Sequence, residues 1–307
     1  MANITAEMVK NLREKTGVGM MDCKAALNEN KGDVEAAVDW LRKKGLMKAA
    51  KKATRTAAEG LVGVASAPGR AALVEVNSET DFVARNHDFQ TFVHQAAHSA
   101  LEEEGVLEKL LARPLNGKSS VSETLTALIA KIGENMSVRR ASTLSVSPGV
   151  VATYIHNAVQ AHLGKIGVLV ALKSSANADK LMELGKKLAM HVAAAHPLAL
   201  TPDALDADTI KRERAIYADQ ARQQGKPENL IEKMVEGRMR KFYEESVLTS
   251  QIFVVDGETP IAKVIENASK ELGAPVQITG FVRFAVGDGI EKEETDFAAE
   301  VKAAAGH

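Results

Sequence analysis

Histidine, cysteine, serine and carboxylate side chains at set spacings are what would carry chemistry in this chain, and few such sets are present. His94 and His98 stand four residues apart, the spacing that puts two imidazoles on one helix face within reach of a metal ion. No third ligand cluster accompanies them, so a metal-dependent enzyme built on His94, His98 and His191 is a rival reading rather than the main one. Cys23 is the single cysteine. It lies between Met20 and Leu27 in a helical pattern and reads as packed rather than reactive. No G-x-x-x-x-G-K-[ST] phosphate loop is present, and the glycines of "LVGVASAPGRAALV" have the wrong spacing for a dinucleotide fingerprint. No Ser/His/Asp or Cys/His set can be assembled. The chain is therefore not expected to be an enzyme, and no metal or cofactor is expected.

One stretch stands apart. "SETDFVARN" (78–86) follows the strand-like run Ala72 to Val76, and it puts Phe82 beside Asp81 in a polar turn although only 4% of residues are aromatic. Two accounts are open. The ring folds back over its own helix, or it is a wedge that fills a pocket on another protein. Burying such a ring is worth roughly 1.5–3 kcal/mol, enough for a hot spot.

The elements that would hold this turn can be read from periodicity. At 307 residues the chain is long enough for two or three domains. It has ordinary globular composition, no membrane-length apolar run, and no secretory signal at its start. One cysteine suits a reducing compartment, and the expected location is cytoplasmic. A net charge of -1 argues against general nucleic-acid affinity.

Three short helices are expected in the first 45 residues, with Thr5 and Asp33 as caps and Gly17 and Gly45 as stops. Their size resembles the ubiquitin-associated fold. Residues 42–55 then hold seven Lys/Arg and no acid, a solvated linker or helix with an RNA-contacting stripe as its rival. That rival would also enlist Arg139 and Arg140.

The middle reads as an internal repeat. His94 falls on His191, Ala96 on Ala193 and Leu73 on Val170, an offset of 97, while Gly133 falls on Gly273, an offset of 140. The rise from 97 to 140 gives the second copy 43 more residues. Residues 201–246 are the candidate insertion: two charged helices around "GKP", with Ile231, Val235, Arg238 and Phe242 at helical spacing. Such a hairpin is expected to bury its stripe on the core or on another chain. At the 97 offset, Thr80-Asp81-Phe82 lines up with Asn177-Ala178-Asp179, so the second copy has no ring in its turn.

The blocks "TGVGMMDCKAAL", "SETDFVARN", "AKIGEN" with "VRR", "GKIGVLV", "AMHVAA" and "GKPENLIEKMVEGRMRKFYEE" together resemble the bacterial elongation factor Ts family, in order and over almost the whole chain. The resemblance implies a guanine-nucleotide exchange factor for the translational GTPase elongation factor Tu. It implies an α+β fold: a ubiquitin-associated-like domain with a basic linker (1–55), core subdomains at 56–145 and 146–287, a coiled-coil insertion at about 201–246, and a C-terminal helical module (288–307). It makes Thr80, Asp81, Phe82 and Val83 the segment that dislodges the partner's magnesium, with Phe82 as the wedge. Ile132, Gly133 and His156 fall on further contact positions, and Arg13, Met20 and Met21 on contacts of the N-terminal domain. A homodimer through residues 201–246 is a possible second partnership; neither a membrane nor direct nucleic-acid contact is expected. Where the family often has "QPFV", this chain has Gln251-Ile252-Phe253-Val254. A second "TDF" at Thr295-Asp296-Phe297 reads as one face of a C-terminal helix.

Overall fold

Thr5 accepts a hydrogen bond from the Met8 amide and opens helix α1 (Ala6–Thr16), which ends at Gly17 in the left-handed region. Helix α2 (Met20–Glu29) follows, and Asp33 caps α3 (Val34–Lys43) through the Ala36 amide. Leu12, Cys23, Leu27, Ala37 and Leu41 form the fully buried centre of this three-helix group. The basic stretch is a helix in its middle, α4 (Leu46–Lys52), with its charges outward. Gly45 before it lies so close to the Ala130 methyl that a Cβ there would come within 2.6 Å, which seats the helical group on the remainder of the chain. The computed structural model describes residues 4–291 except 116 and 118, so most of the expected C-terminal module, including Thr295-Asp296-Phe297, lies outside the described residues.

Beyond α4 the chain runs through strands β1 (Glu59–Ala67) and β2 (Arg70–Ser78), helices α5 (His87–Glu102), α6 (Leu107–Ala112) and α7 (Val121–Ile132), and strand β3 (Met136–Ser145). A second series repeats this order: β4 (Gly149–Gln160), β5 (Leu163–Lys173), α8 (Ala178–Ala195), then α9 (Ala207–Gln223) and α10 (Glu228–Ser246), and finally α11 (Ile261–Leu272) and β6 (Gln277–Ala285). All strand pairs are antiparallel, in the order β3-β2-β1-β5-β4, with β6 also on β5. Each series thus builds a three-stranded sheet around its second strand. The two are joined by the Val62–Gly164 and Gly63–Leu163 pairs. One face of each half is covered by its own helices. The bare faces share a third core of Val62, Val64, Leu73, Val151, Leu169 and Phe284, so the mixed α+β sheet curls on itself. Among the described residues no helix is long and apolar enough to cross a membrane.

The repeat is real in space, but its register differs by one residue from the match of His94 to His191. Val74 faces the first helical core and pairs with Ala141; Val170 faces the second and pairs with Phe281. Leu73 instead points to the shared core. The helices agree: Phe89, Phe92, Val93, Ala96 and Ala97 are buried in α5, and Gly185, Leu188, Ala189, Val192 and Ala193 in α8. The offset is therefore 96. A slip of one residue would turn every strand side chain to the wrong face. Gly133 and Gly273, both left-handed C-caps, keep the offset of 140.

Helices α9 and α10 pair with each other. Ile231, Val235 and Met239 bury against Ala221, Ile210, Tyr217 and Ala218 of α9, so the stripe is covered within the hairpin rather than by the core or a second chain. Arg238 belongs to the seam: its guanidinium lies 5.6 Å from the Tyr217 ring centroid. Phe242 and Tyr243 root the hairpin against Ala199, Leu205 and Val247.

Behind that root His191 is fully buried. Its Nε2–H donates to Gln251 Oε1 at 2.9 Å, and its Nδ1 accepts the Val254 amide at 3.3 Å, a set that needs the neutral ring. Burial lowers its pKa, and the bond to Gln251 offsets this only in part. The unfolded chain binds a proton near pH 6.5, whereas the folded chain holds the ring neutral to lower pH. Stability should be complete above about pH 6.5 and fall as pH drops toward the folded-state value. Urea unfolding at pH 7.5 and 5.5 should show a loss of stability on acidification that is smaller in His191→Leu. An equal loss in both proteins would show that His191 is not its source.

Candidate functional site

The two connections that follow β2 and β5 differ in length: residues 79–86 in the first series and 174–177 in the second. The longer one carries Phe82. Ser78 Oγ donates to the Thr80 carbonyl at 3.0 Å. The Glu134 carboxylate accepts both the Thr80 amide (3.0 Å) and the Thr80 hydroxyl (2.7 Å). Phe82 then begins a 3₁₀ turn, Val83–Arg85, in which Val83 and Ala84 are buried in the first core. Asn86 Oδ1 accepts the amides of Asp88 and Phe89 and starts α5, while Gln90 donates to the Ala84 carbonyl at 2.9 Å.

The chain is thus fixed on both sides of Phe82, and the residue is 75% exposed. It does not fold back over α5. Asp81 beside it is exposed, with only a surface ion pair to Arg85 at 3.8 Å, a contact worth little in water. Ile132 packs against the same core as Val83, and Gly133 closes α7 with open space around its Cα. Thr80, Asp81, Phe82, Val83, Ile132 and Gly133 are therefore gathered at one edge of the first core.

The other sequence-derived positions are not part of that group. His156 is exposed on β4, its Nδ1 3.1 Å from the Tyr154 hydroxyl, and pairs across to Ile166. Arg13, Met20 and Met21 lie on the N-terminal helices, where Met20 is 42% and Met21 77% exposed, an adaptable apolar surface. Cys23 is buried, and burial pushes its thiol pKa up, which keeps it an unreactive thiol.

The residues behind the rival readings have other occupations. The His94 and His98 rings stand 4.7 Å apart on the exposed side of α5, while His191 is bonded at both nitrogens elsewhere. Partial burial, with His98 and His162 nearby, holds the His94 pKa down. Among the described residues no group of three or more His, Cys, Asp or Glu is arranged to hold a metal. Arg139 and Arg140 both bond to the fully buried Glu75, at 3.1 and 2.5 Å, and Arg140 lies over the Phe284 ring. Their guanidiniums are partly buried and paired with that acid.

Reasoning from sequence missed Glu79, Glu134 and Asn135, although all three stand inside the quoted blocks. Glu79 Oε1 accepts the Asn135 amide at 2.5 Å, and its other oxygen takes Arg55 Nη1 at 3.3 Å. Nothing in helix or strand periodicity marks such a pairing of two loops.

Comparison with known proteins places the chain in a family. A profile of the family described as Elongation factor TS matches residues 79–288. A protein of Rhodospirillum centenum named elongation factor Ts is 61% identical over 307 residues, covering all of both chains. Proteins of the same name from Rhodospirillum rubrum and Paramagnetospirillum magneticum are 61% and 60% identical, the first over 99% of both chains, the second over all of this chain and 98% of its own. With a family profile spanning the turn, the hairpin and the whole second series, and relatives matched end to end, the chain belongs to the elongation factor Ts family.

Proposed function

We propose that this protein is a guanine-nucleotide exchange factor for elongation factor Tu, acting in the cytoplasm during polypeptide elongation. The observation that carries the reading is the exposed Phe82 ring on a turn fixed at both ends. A bound GDP is held by its phosphates in a backbone cradle with a bridging magnesium ion, so its departure is the slow event. Phe82 enters between two helices of the GTPase, and Thr80, Asp81 and Val83 accompany it. The conformer they favour has its magnesium ligands and phosphate loop displaced. Asp81 brings a negative charge to the same place. Ile132 and Gly133 extend the contact beside the wedge, His156 makes a second one from β4, and Arg13, Met20 and Met21 hold the nucleotide-binding domain. No bond to this chain is formed or broken, so no acid, base or nucleophile is required.

Residues 1–55 act as the ubiquitin-associated-like module with its linker, residues 56–145 and 146–287 as the two core subdomains, and residues 201–246 as a coiled-coil insertion. Self-association is assigned to that hairpin, where Ile216 and Leu230 remain exposed.

Linkage supplies the test. Whatever factor the protein removes from nucleotide affinity, nucleotide removes from its own affinity for the GTPase. Calorimetry should give much tighter binding to nucleotide-free elongation factor Tu than to its magnesium–GDP form. Equal affinity for both would overturn the proposal.

A further inference from the structure

The duplication separates what the fold needs from what the wedge needs. In the first series two loops 54 residues apart in sequence exchange hydrogen bonds: Thr80 gives its amide and hydroxyl to Glu134, and Asn135 gives its amide to Glu79. Each loop offers the other a carboxylate and receives an N–H. Asn135 Nδ2 also donates to the Arg55 carbonyl at 2.6 Å, and the Arg55 side chain returns to Glu79, so the end of the basic stretch joins the same set.

At the offsets of 96 and 140 the second series has Ser175 and Ala176 in place of Glu79 and Thr80, and Ala274 and Pro275 in place of Glu134 and Asn135. Neither carboxylate is there, and Pro275 has no N–H to give. The same strand, helix and left-handed glycine form without the clasp. Two carboxylates on adjoining loops repel one another unless each is given donors, so their presence only beside the wedge points to a role there.

Resting on the exchange-factor reading above, we infer that Glu134 and Glu79 are positioning residues that hold the Thr80–Val83 turn in its binding geometry before the partner arrives. Ordering a loop on binding subtracts from affinity, and a loop already ordered avoids that loss. The clasp also ties the wedge to the end of the N-terminal segment through Arg55. That residue is thereby set apart from Lys51 and Lys52, which among the described residues make no bond to the turn and whose neutralisation should leave exchange unchanged. The Arg55 side chain is half exposed, so its own substitution should have a small effect.

The test is a double-mutant cycle in the full-length protein, read by GDP release from elongation factor Tu and by amide hydrogen exchange of residues 79–86. Thr80→Val and Glu134→Ala should each slow stimulated release about tenfold, and the double variant should be little worse than either alone. Glu134→Gln, which keeps an acceptor, should recover part of the loss. Amides of 79–86 should exchange faster in Glu134→Ala while the unfolding midpoint stays put. Wild-type release rates in Glu134→Ala, additive losses in the double variant, or unchanged amide exchange would each overturn the inference. Failure of the wild-type protein to stimulate release would instead defeat the exchange-factor reading, and amide exchange would still decide whether Glu134 holds the turn.

Discussion

Replacing Phe82 with alanine should slow stimulated GDP release by roughly ten- to a hundred-fold and leave the unfolding midpoint where it is. The magnitude follows from a phenyl ring moving from water into a protein pocket, roughly 1.5–3 kcal/mol, at about 1.4 kcal/mol per factor of ten. The absence of a stability change follows from its position. Phe82 is 75% exposed, and the anchoring of the turn is done by Val83 and Ala84 in the core and by the bonds to Glu134. Stopped-flow release and urea unfolding on the same preparation separate the two effects. A variant that unfolds earlier would mean that the ring serves its own fold. One that stimulates release as well as the wild type would move the contact to Ile132, His156 or the N-terminal helices.

Glu75→Ala should have the opposite profile, a loss of about 3 kcal/mol of stability through no contact with any partner. The Glu75 carboxylate is fully buried and accepts from Arg139, Arg140, the Asn77 side chain and the Gly287 amide. Arg139 and Arg140 also donate to the carbonyls of Asp288 and Ala285, so the cluster ties β2 and β3 to the chain leaving β6. Removing the acid leaves two partly buried guanidiniums without a counter-charge. Breaking a buried pair in this way costs about 3–5 kcal/mol, and we take the lower figure because both arginines keep some solvent. Glu75→Gln, which retains an acceptor, should lose less. Urea denaturation of the three proteins checks this order, and wild-type stability in Glu75→Ala would show that the cluster does not hold the two halves.

Much of this fold was legible because helices and strands announce themselves locally. Thr5, Asp33, Gly17 and the stripe around Leu12 and Leu41 place the first three helices from sequence alone. The repeat is legible too, but matching His94 to His191, Ala96 to Ala193 and Leu73 to Val170 makes its offset one residue too long. The better guide was the buried face: Phe89, Phe92, Val93, Ala96 and Ala97 reappear as Gly185, Leu188, Ala189, Val192 and Ala193. Alanine-rich helices look alike under a one-residue slip, while buried faces do not. The hairpin stripe is legible but its cover is not, because two helices of similar length joined by a short turn can bury it between themselves.

The site divides in the same way. Phe82 was visible as an aromatic residue out of place in a polar turn. Glu134 and Asn135 were not, since their meaning comes from a loop 54 residues away that only the folded sheet brings beside them. Arg139 and Arg140 are a related case: a pair of arginines in sequence carries no sign of the single buried acid that both of them serve.

The activity proposed for this chain is accelerated departure of GDP from elongation factor Tu. The direct measurement is the release rate of a fluorescent GDP analogue from magnesium-loaded elongation factor Tu as this protein is added in substoichiometric amounts. The rate should rise with concentration, with multiple turnovers per molecule, because incoming nucleotide expels the factor. A release rate that stays at its uncatalysed value across the titration would contradict the proposal.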